Sequence, residues 1–191
     1  MPATLDPATA LILIDLQHGI TALPTVDPAD QIVARGARLA DAFRAHKKLV
    51  VATRVAFSPD GGDVIKTRTA TKESDPTPTP DYGEFRRELK LGNRDIPITK
   101  RGWNAFYGTE LDLELRRRNI TGIVLAGIST SIGVESAARA ANERGYELTI
   151  VTDAVTDTSE RAHLNSLEVI FPRIAELART REVLTALENG Q

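Results

Sequence analysis

Three polar positions close three apolar runs, and between them they supply a proton, a fixed positive charge and a place for an anion. Asp15 ends Ala10-Leu11-Ile12-Leu13-Ile14, and Lys100 ends Ile96-Pro97-Ile98-Thr99. The turn Ile128-Ser129-Thr130-Ser131-Ile132-Gly133 follows the run Ile123-Val124-Leu125-Ala126 and leads into a helical pattern. A carboxyl gives or takes a proton, and an ammonium holds negative charge. The free N–H groups of a first helical turn hold an oxyanion. Each position also has a plain structural reading: an Asp after a strand is a common turn residue, and a Lys after a strand is commonly solvated. Gathered in one crevice they make a recognisable catalytic set. One member is missing. Where an acyl-transfer enzyme of this layout carries Cys or Ser at the start of the helix, this chain carries Gly133.

The remaining chemistry is thin. The chain has no cysteine, which excludes disulfides, thiolate zinc sites and a cysteine nucleophile. Ser129, Thr130 and Ser131 are hydroxyl candidates, but a serine nucleophile needs a base, and only His18, His46 and His163 exist. His18, three residues beyond Asp15, borders the expected crevice, whereas His46 and His163 read as surface or packing residues on helices. Asp60 and Asp63 lie beside glycines and read as turn residues rather than metal ligands. No Gly-x-Gly-x-x-Gly follows a strand, so no dinucleotide cofactor is expected. Trp103, Phe106 and Tyr107, just beyond Lys100, are candidate pocket walls, with Phe106 also suited to the core. Arg54 and Arg87 are candidate anion contacts.

The elements that must position these groups alternate along the chain. Apolar runs at 10–14, 49–55, 96–99, 122–126 and 147–152 read as strands, several of them buried on both faces. Residues 28–46, 109–119, 131–144, 159–170 and 181–188 read as helices, with an edge strand near 175–178. This order implies one doubly wound α/β domain over residues 1–191, with about six mostly parallel strands and helices on both faces. Residues 56–95 break the rhythm with Gly61-Gly62 and Thr77-Pro78-Thr79-Pro80. They are expected to form a substrate-facing loop or a surface insertion, with a short helix near 84–90. Of 191 residues, 41% are hydrophobic and 26% charged, and the net charge is -2. That balance fits a soluble globular protein and gives no global reason to bind nucleic acid or membrane. Without a signal-like start or a long apolar run, the expected compartment is the cytoplasm.

Leu13-Ile14-Asp15-Leu16-Gln17, the segment Thr99-Lys100-Arg101-Gly102-Trp103-Asn104-Ala105-Phe106-Tyr107-Gly108-Thr109-Glu110-Leu111, and Gly127 to Val134 together resemble the isochorismatase-like hydrolases. Phe171-Pro172-Arg173 before the last strand extends the likeness over nearly the whole chain. The resemblance implies catalytic roles for Asp15 and Lys100, with Gly133 at the nucleophile position. It also implies a cis peptide between Ile128 and Ser129 that turns the N–H groups of Ser129 and Gly133 toward the substrate. Ser129, Gln17, Trp103, Phe106 and Tyr107 are the expected substrate contacts. A homo-oligomer, dimer or tetramer, is implied, with helix 131–144 and the loop before Lys100 near the contacts. The zinc-binding histidine motif of the nicotinamidase branch has no counterpart in Thr53-Arg54-Val55-Ala56-Phe57-Ser58-Pro59-Asp60, so no metal is expected.

Glycine at position 133 departs from the amide-hydrolysing branches and removes any thioester intermediate. The isochorismatase branch also lacks that cysteine and cleaves a vinyl ether, which needs an acid and a water. Asp15 is the candidate acid. A free Asp titrates near ~3.9, and a cation beside it lowers that value, while burial raises it. Lys100 either pairs with Asp15 or holds a carboxylate of the substrate. The substrate class expected is a small anionic or carbonyl-bearing metabolite. A non-catalytic small-molecule binder and an oligomeric scaffold are the rival readings.

Overall fold

The computed structural model describes residues 4–70 and 79–190. Thr77 and Pro78, two of the residues that break the loop rhythm, lie outside the described residues. Six strands form one sheet: β1 Thr9–Ile14, β2 Val50–Val55, β3 Ile96–Lys100, β4 Gly122–Ile128, β5 Glu147–Thr156 and β6 Glu176–Ala178. Their order is β3-β2-β1-β4-β5-β6, and every pairing is parallel. The helices are α1 His18–Thr21, α2 Ala29–Ala45, α3 Leu111–Arg116, α4 Glu135–Glu143, α5 Glu160–Asn165 and α6 Thr180–Asn189.

Buried parallel strands are covered on both faces, and β1 shows how its apolar run serves two cores. Ala10, Ile12 and Ile14 pack into the core that holds Leu111, Leu115, Ala137 and Ala141 of α3 and α4. Leu11 and Leu13 point the other way, into the core that holds Ile32, Leu39 and Phe43 of α2 and Val183 and Leu187 of α6. A strand side chain alternates faces with period two, so a one-residue slip in β1 exchanges its two cores.

The chain runs outward from β1 to β3, then returns to lay β4 on the other side of β1. The carboxyl ends of β1 and β4 therefore flank a change in winding direction, where open α/β sheets bind ligands. At that place Gly127 has φ 132, and a Cβ on it would lie 2.1 Å from the carbonyl oxygen of Ile14. Only glycine permits this approach of β4 to β1.

Four elements differ from the pattern in the sequence. Helix 131–144 opens as a π-helical turn, Thr130–Val134, and becomes α-helical only at Glu135. The helix read over 159–170 is α5 followed by a π turn, Ser166–Ile170. The strand read over 147–152 continues to Thr156, because extra residues in β5 shift its register against β4. In the long loop, the short helix near 84–90 is a single 3-10 turn, Arg87–Leu89.

Candidate active site

Asp15 follows β1 directly and takes a left-handed backbone conformation, φ 52, which turns the chain abruptly out of the sheet. Its N–H donates to the carbonyl oxygen of Thr53 at 3.1 Å, and its Oδ1 accepts from the Thr53 hydroxyl at 2.8 Å. Its Oδ2 accepts from Lys100 Nζ at 2.6 Å. Lys100 is the last residue of β3, and its Nζ donates a second bond to the Gly102 carbonyl at 2.9 Å. Asp15 and Lys100 are 4% and 2% exposed, so the pair sits in a dry environment at the strand ends. Burial pushes the Asp15 carboxyl above the usual carboxylate range, against the opposing pull of the Lys100 ammonium and the hydrogen bonds from Lys100 and Thr53.

The turn after β4 completes the crevice. The peptide between Ile128 and Ser129 is cis, as the resemblance implied. Ser129 is buried, and its carbonyl accepts from the N–H groups of Ile132 and Val134 at 3.2 and 3.1 Å. Gly133 is buried beside Asp15: a Cβ at this position would lie 3.3 Å from Asp15 Oδ2 and 2.9 Å from Cγ2 of Ile14. Asp15, Lys100 and Gly133, remote in sequence, thus meet at one point.

Two anchors hold the turn from below. Asp157, at the end of the extended β5, accepts from the N–H and hydroxyl of Ser131 at 2.7 and 2.8 Å. The Thr130 hydroxyl and His163 Nδ1 are 2.8 Å apart, both residues buried. These contacts occupy the hydroxyls of Thr130 and Ser131. His163, which the sequence placed at the surface or in packing, is a buried hydrogen-bonding strut, and Asp157 had no local signal to single it out.

The remaining expected contacts separate. Gln17 is fully buried and its amide is engaged by main chain: Nε2 donates to Val55 and Tyr82 carbonyls at 2.8 Å each, and Oε1 accepts from Val55 N–H at 2.7 Å. It ties the ends of β1 and β2 to the loop. Phe106 is in the core, 6.1 Å from the Tyr146 ring. Trp103 and Tyr107 are 62% and 84% exposed and line a groove with Arg139 and Ala140 of α4, outside the Asp15 crevice. Arg54 donates to Thr99 Oγ1 and the Gly83 carbonyl and stacks on Phe85, whereas Arg87 is exposed. His18 faces Asp81 at 3.6 Å. Tyr82, missed by the sequence reading, packs its ring against Gly19. Among the described residues, no His, Cys, Asp and Glu cluster has the makings of a metal site, and no helix is long and apolar enough to cross a membrane.

The arrangement can move a proton at Asp15, and it offers no side chain for attack at position 133. Comparisons with known proteins agree with this fold. The family model described as the isochorismatase domain matches residues 9–182. The chain is 44% identical over 179 residues to the isochorismatase family protein YwoC of Bacillus subtilis, covering 92% of each. It superposes with a TM-score of 0.95 on an isochorismatase family protein from Burkholderia thailandensis, at 43% identity, covering 98% of this chain and 100% of that one. Over 94 residues it is 33% identical to the ureidoacrylate amidohydrolase RutB of Methylobacterium radiotolerans, covering 47% of this chain and 36% of that protein.

Proposed function

The chain belongs to the isochorismatase family of hydrolases, and from that premise we propose that it cleaves a vinyl ether on a small anionic metabolite. Asp15 acts as the acid and no covalent enzyme intermediate forms. The observation that carries this reading is the meeting of Asp15 and Gly133. The carboxyl keeps its cation at 2.6 Å, while the place of a nucleophile's Cβ is crowded by Ile14 Cγ2 at 2.9 Å. That crowding supports acid chemistry by Asp15 over attack from position 133.

In this mechanism the Asp15 carboxyl delivers its proton to the terminal carbon of the enol ether. The oxygen-stabilised cation that results is attacked by water at the ether-bearing carbon. The water's surplus proton returns to the Asp15 carboxylate. The hemiketal then breaks down to an alcohol and a keto acid, so one water is consumed and the enzyme ends unchanged. Burial, which raises the Asp15 carboxyl, supports its use as a donor. Lys100 stabilises the carboxylate left after proton transfer and attracts the substrate's negative charge. The N–H groups of Ser129 and Gly133 border the substrate.

We further propose that the protein is cytoplasmic and works as a homo-oligomer that needs neither metal nor cofactor. The test of the reaction is incubation with isochorismate, following keto-acid release by proton NMR, for the wild type and Asp15→Asn. Release by the wild type and none by the variant is expected, because an amide cannot deliver the proton. Hydrolysis of a simple amide such as maleamate in place of the enol ether sinks the proposal.

A further inference from the structure

Residues 82–86 of the long loop run antiparallel to residues 16–19 and are held there by main chain. His18 N–H donates to the Glu84 carbonyl at 2.9 Å, Gly19 N–H to the Tyr82 carbonyl at 3.0 Å, and Arg86 N–H to the Leu16 carbonyl at 3.0 Å. The Gln17 amide adds a bond to the Tyr82 carbonyl at 2.8 Å. Tyr82 is therefore fixed at its backbone within a few residues of Asp15. Its ring lies flat on Gly19: a Cβ there would fall 2.0 Å from Cδ2, 2.4 Å from Cε2 and 2.6 Å from Cγ. Any other residue at position 19 would push the ring away.

We propose that Tyr82 borders the Asp15 crevice from the side of Gly19 and sets substrate specificity by donating its phenol hydrogen to an oxygen of the substrate bound at Asp15. The main-chain pairing sets Tyr82 beside residues 17–19, which follow Asp15, and in keeping with that place burial, and after it the negative charge of Asp15, push the phenol above its ordinary value. A neutral phenol is a hydrogen-bond donor with an apolar body, suited to a small molecule that joins an oxygen to an unsaturated carbon frame. Gly19 is then part of the specificity device, because it alone lets the ring lie where it does. The assignment rests on the Asp15 crevice being the reacting site.

The test has two arms, so that it is decided whether or not enol-ether cleavage is the reaction. In the first, kcat and KM are measured with isochorismate and with maleamate for the wild type, Tyr82→Phe, Gly19→Ala and the double variant. Tyr82→Phe is expected to raise KM about tenfold with kcat within about twofold, as for a lost hydrogen bond to bound substrate. Gly19→Ala should give a similar loss, and the double variant no more than either alone. An unchanged KM for every probe turned over overturns the proposal. In the second arm, which needs no turnover, proteins carrying ring-labelled tyrosine are titrated by carbon NMR, wild type against Asp15→Asn. The Tyr82 resonance is expected to titrate lower in the variant. Tyr146, pushed up to about 12 by burial and its hydrogen bond to Asp112, should not move. A Tyr82 that titrates identically in both proteins lies away from the reacting carboxyl, and the proposal fails.

Discussion

Cγ2 of Ile14 stands 2.9 Å from the point where a side chain on Gly133 would begin. Ile14 is the last residue of β1, fully buried, and its branched Cβ leaves little freedom to withdraw. Glycine at 133 is therefore matched by its neighbour, and the site is packed around the absence of a nucleophile.

Gly133→Cys should accordingly fail to install acyl transfer. The new Cβ must displace Ile14 or the turn, an overpacking that costs about 1–3 kcal/mol. Urea unfolding should show that loss, and native turnover should fall because the thiol takes up substrate space. Intact-mass spectrometry after mixing with an activated ester gives the opposing result: a stoichiometric acyl-cysteine adduct formed within the first turnover would mean that an amidase site had been restored.

The pH dependence follows from the direction of the Asp15 shift. Burial raises this carboxyl, so the folded protein binds its proton more tightly than the unfolded chain does. Its contribution to stability is then largest below the unfolded value, about 3.9, and is lost as pH rises through the folded value. If Asp15 is the acid, kcat should fall over the same alkaline limb. Removing the opposing cation with Lys100→Met should move that limb to higher pH. A kcat profile that rises with pH through this region assigns Asp15 to base chemistry instead.

The strut beneath the turn is a stability element. Thr130→Val leaves a ring nitrogen of buried His163 without its 2.8 Å partner. An unpaired buried polar group costs about 1–3 kcal/mol, which should appear as a lower urea midpoint with an unchanged slope. A midpoint equal to that of the wild type would show that the pair contributes nothing net.

Assembly has a structural candidate in the groove between the Lys100–Gly108 segment and α4. Ile65, Trp103 and Tyr107 are 63%, 62% and 84% exposed there, beside Arg101, Arg139 and Arg144. Aromatic residues and arginine are enriched in protein interfaces. Light scattering should report a dimer or tetramer for the wild type, and Trp103→Asp combined with Tyr107→Asp should shift it toward monomer. A monomeric wild type across the micromolar range counts against the homo-oligomer.

The sheet was legible in the sequence because strands buried on both faces must be apolar at every position, as in Ala10 to Ile14 and Ile123 to Ala126, and because the helices between them carry the 3.6-residue period. The polar residues that end such runs emerge at one rim of the sheet, so Asp15, Lys100 and the turn to Gly133 could be singled out before any contact was known. What the tertiary structure alone decided was pairing and direction. The Lys100–Asp15 bond joins residues 85 apart, and the ties of Asp157 to Ser131, His163 to Thr130 and Tyr82 to Gly19 leave no local mark, since a hydrogen bond between distant segments imposes no period on either. Trp103, apolar and next to Lys100, suited a pocket by position, yet it faces outward because the chain turns at Gly102. The titration of Asp15 depends on two opposing quantities, desolvation and a nearby cation, and only the packed structure fixes their balance.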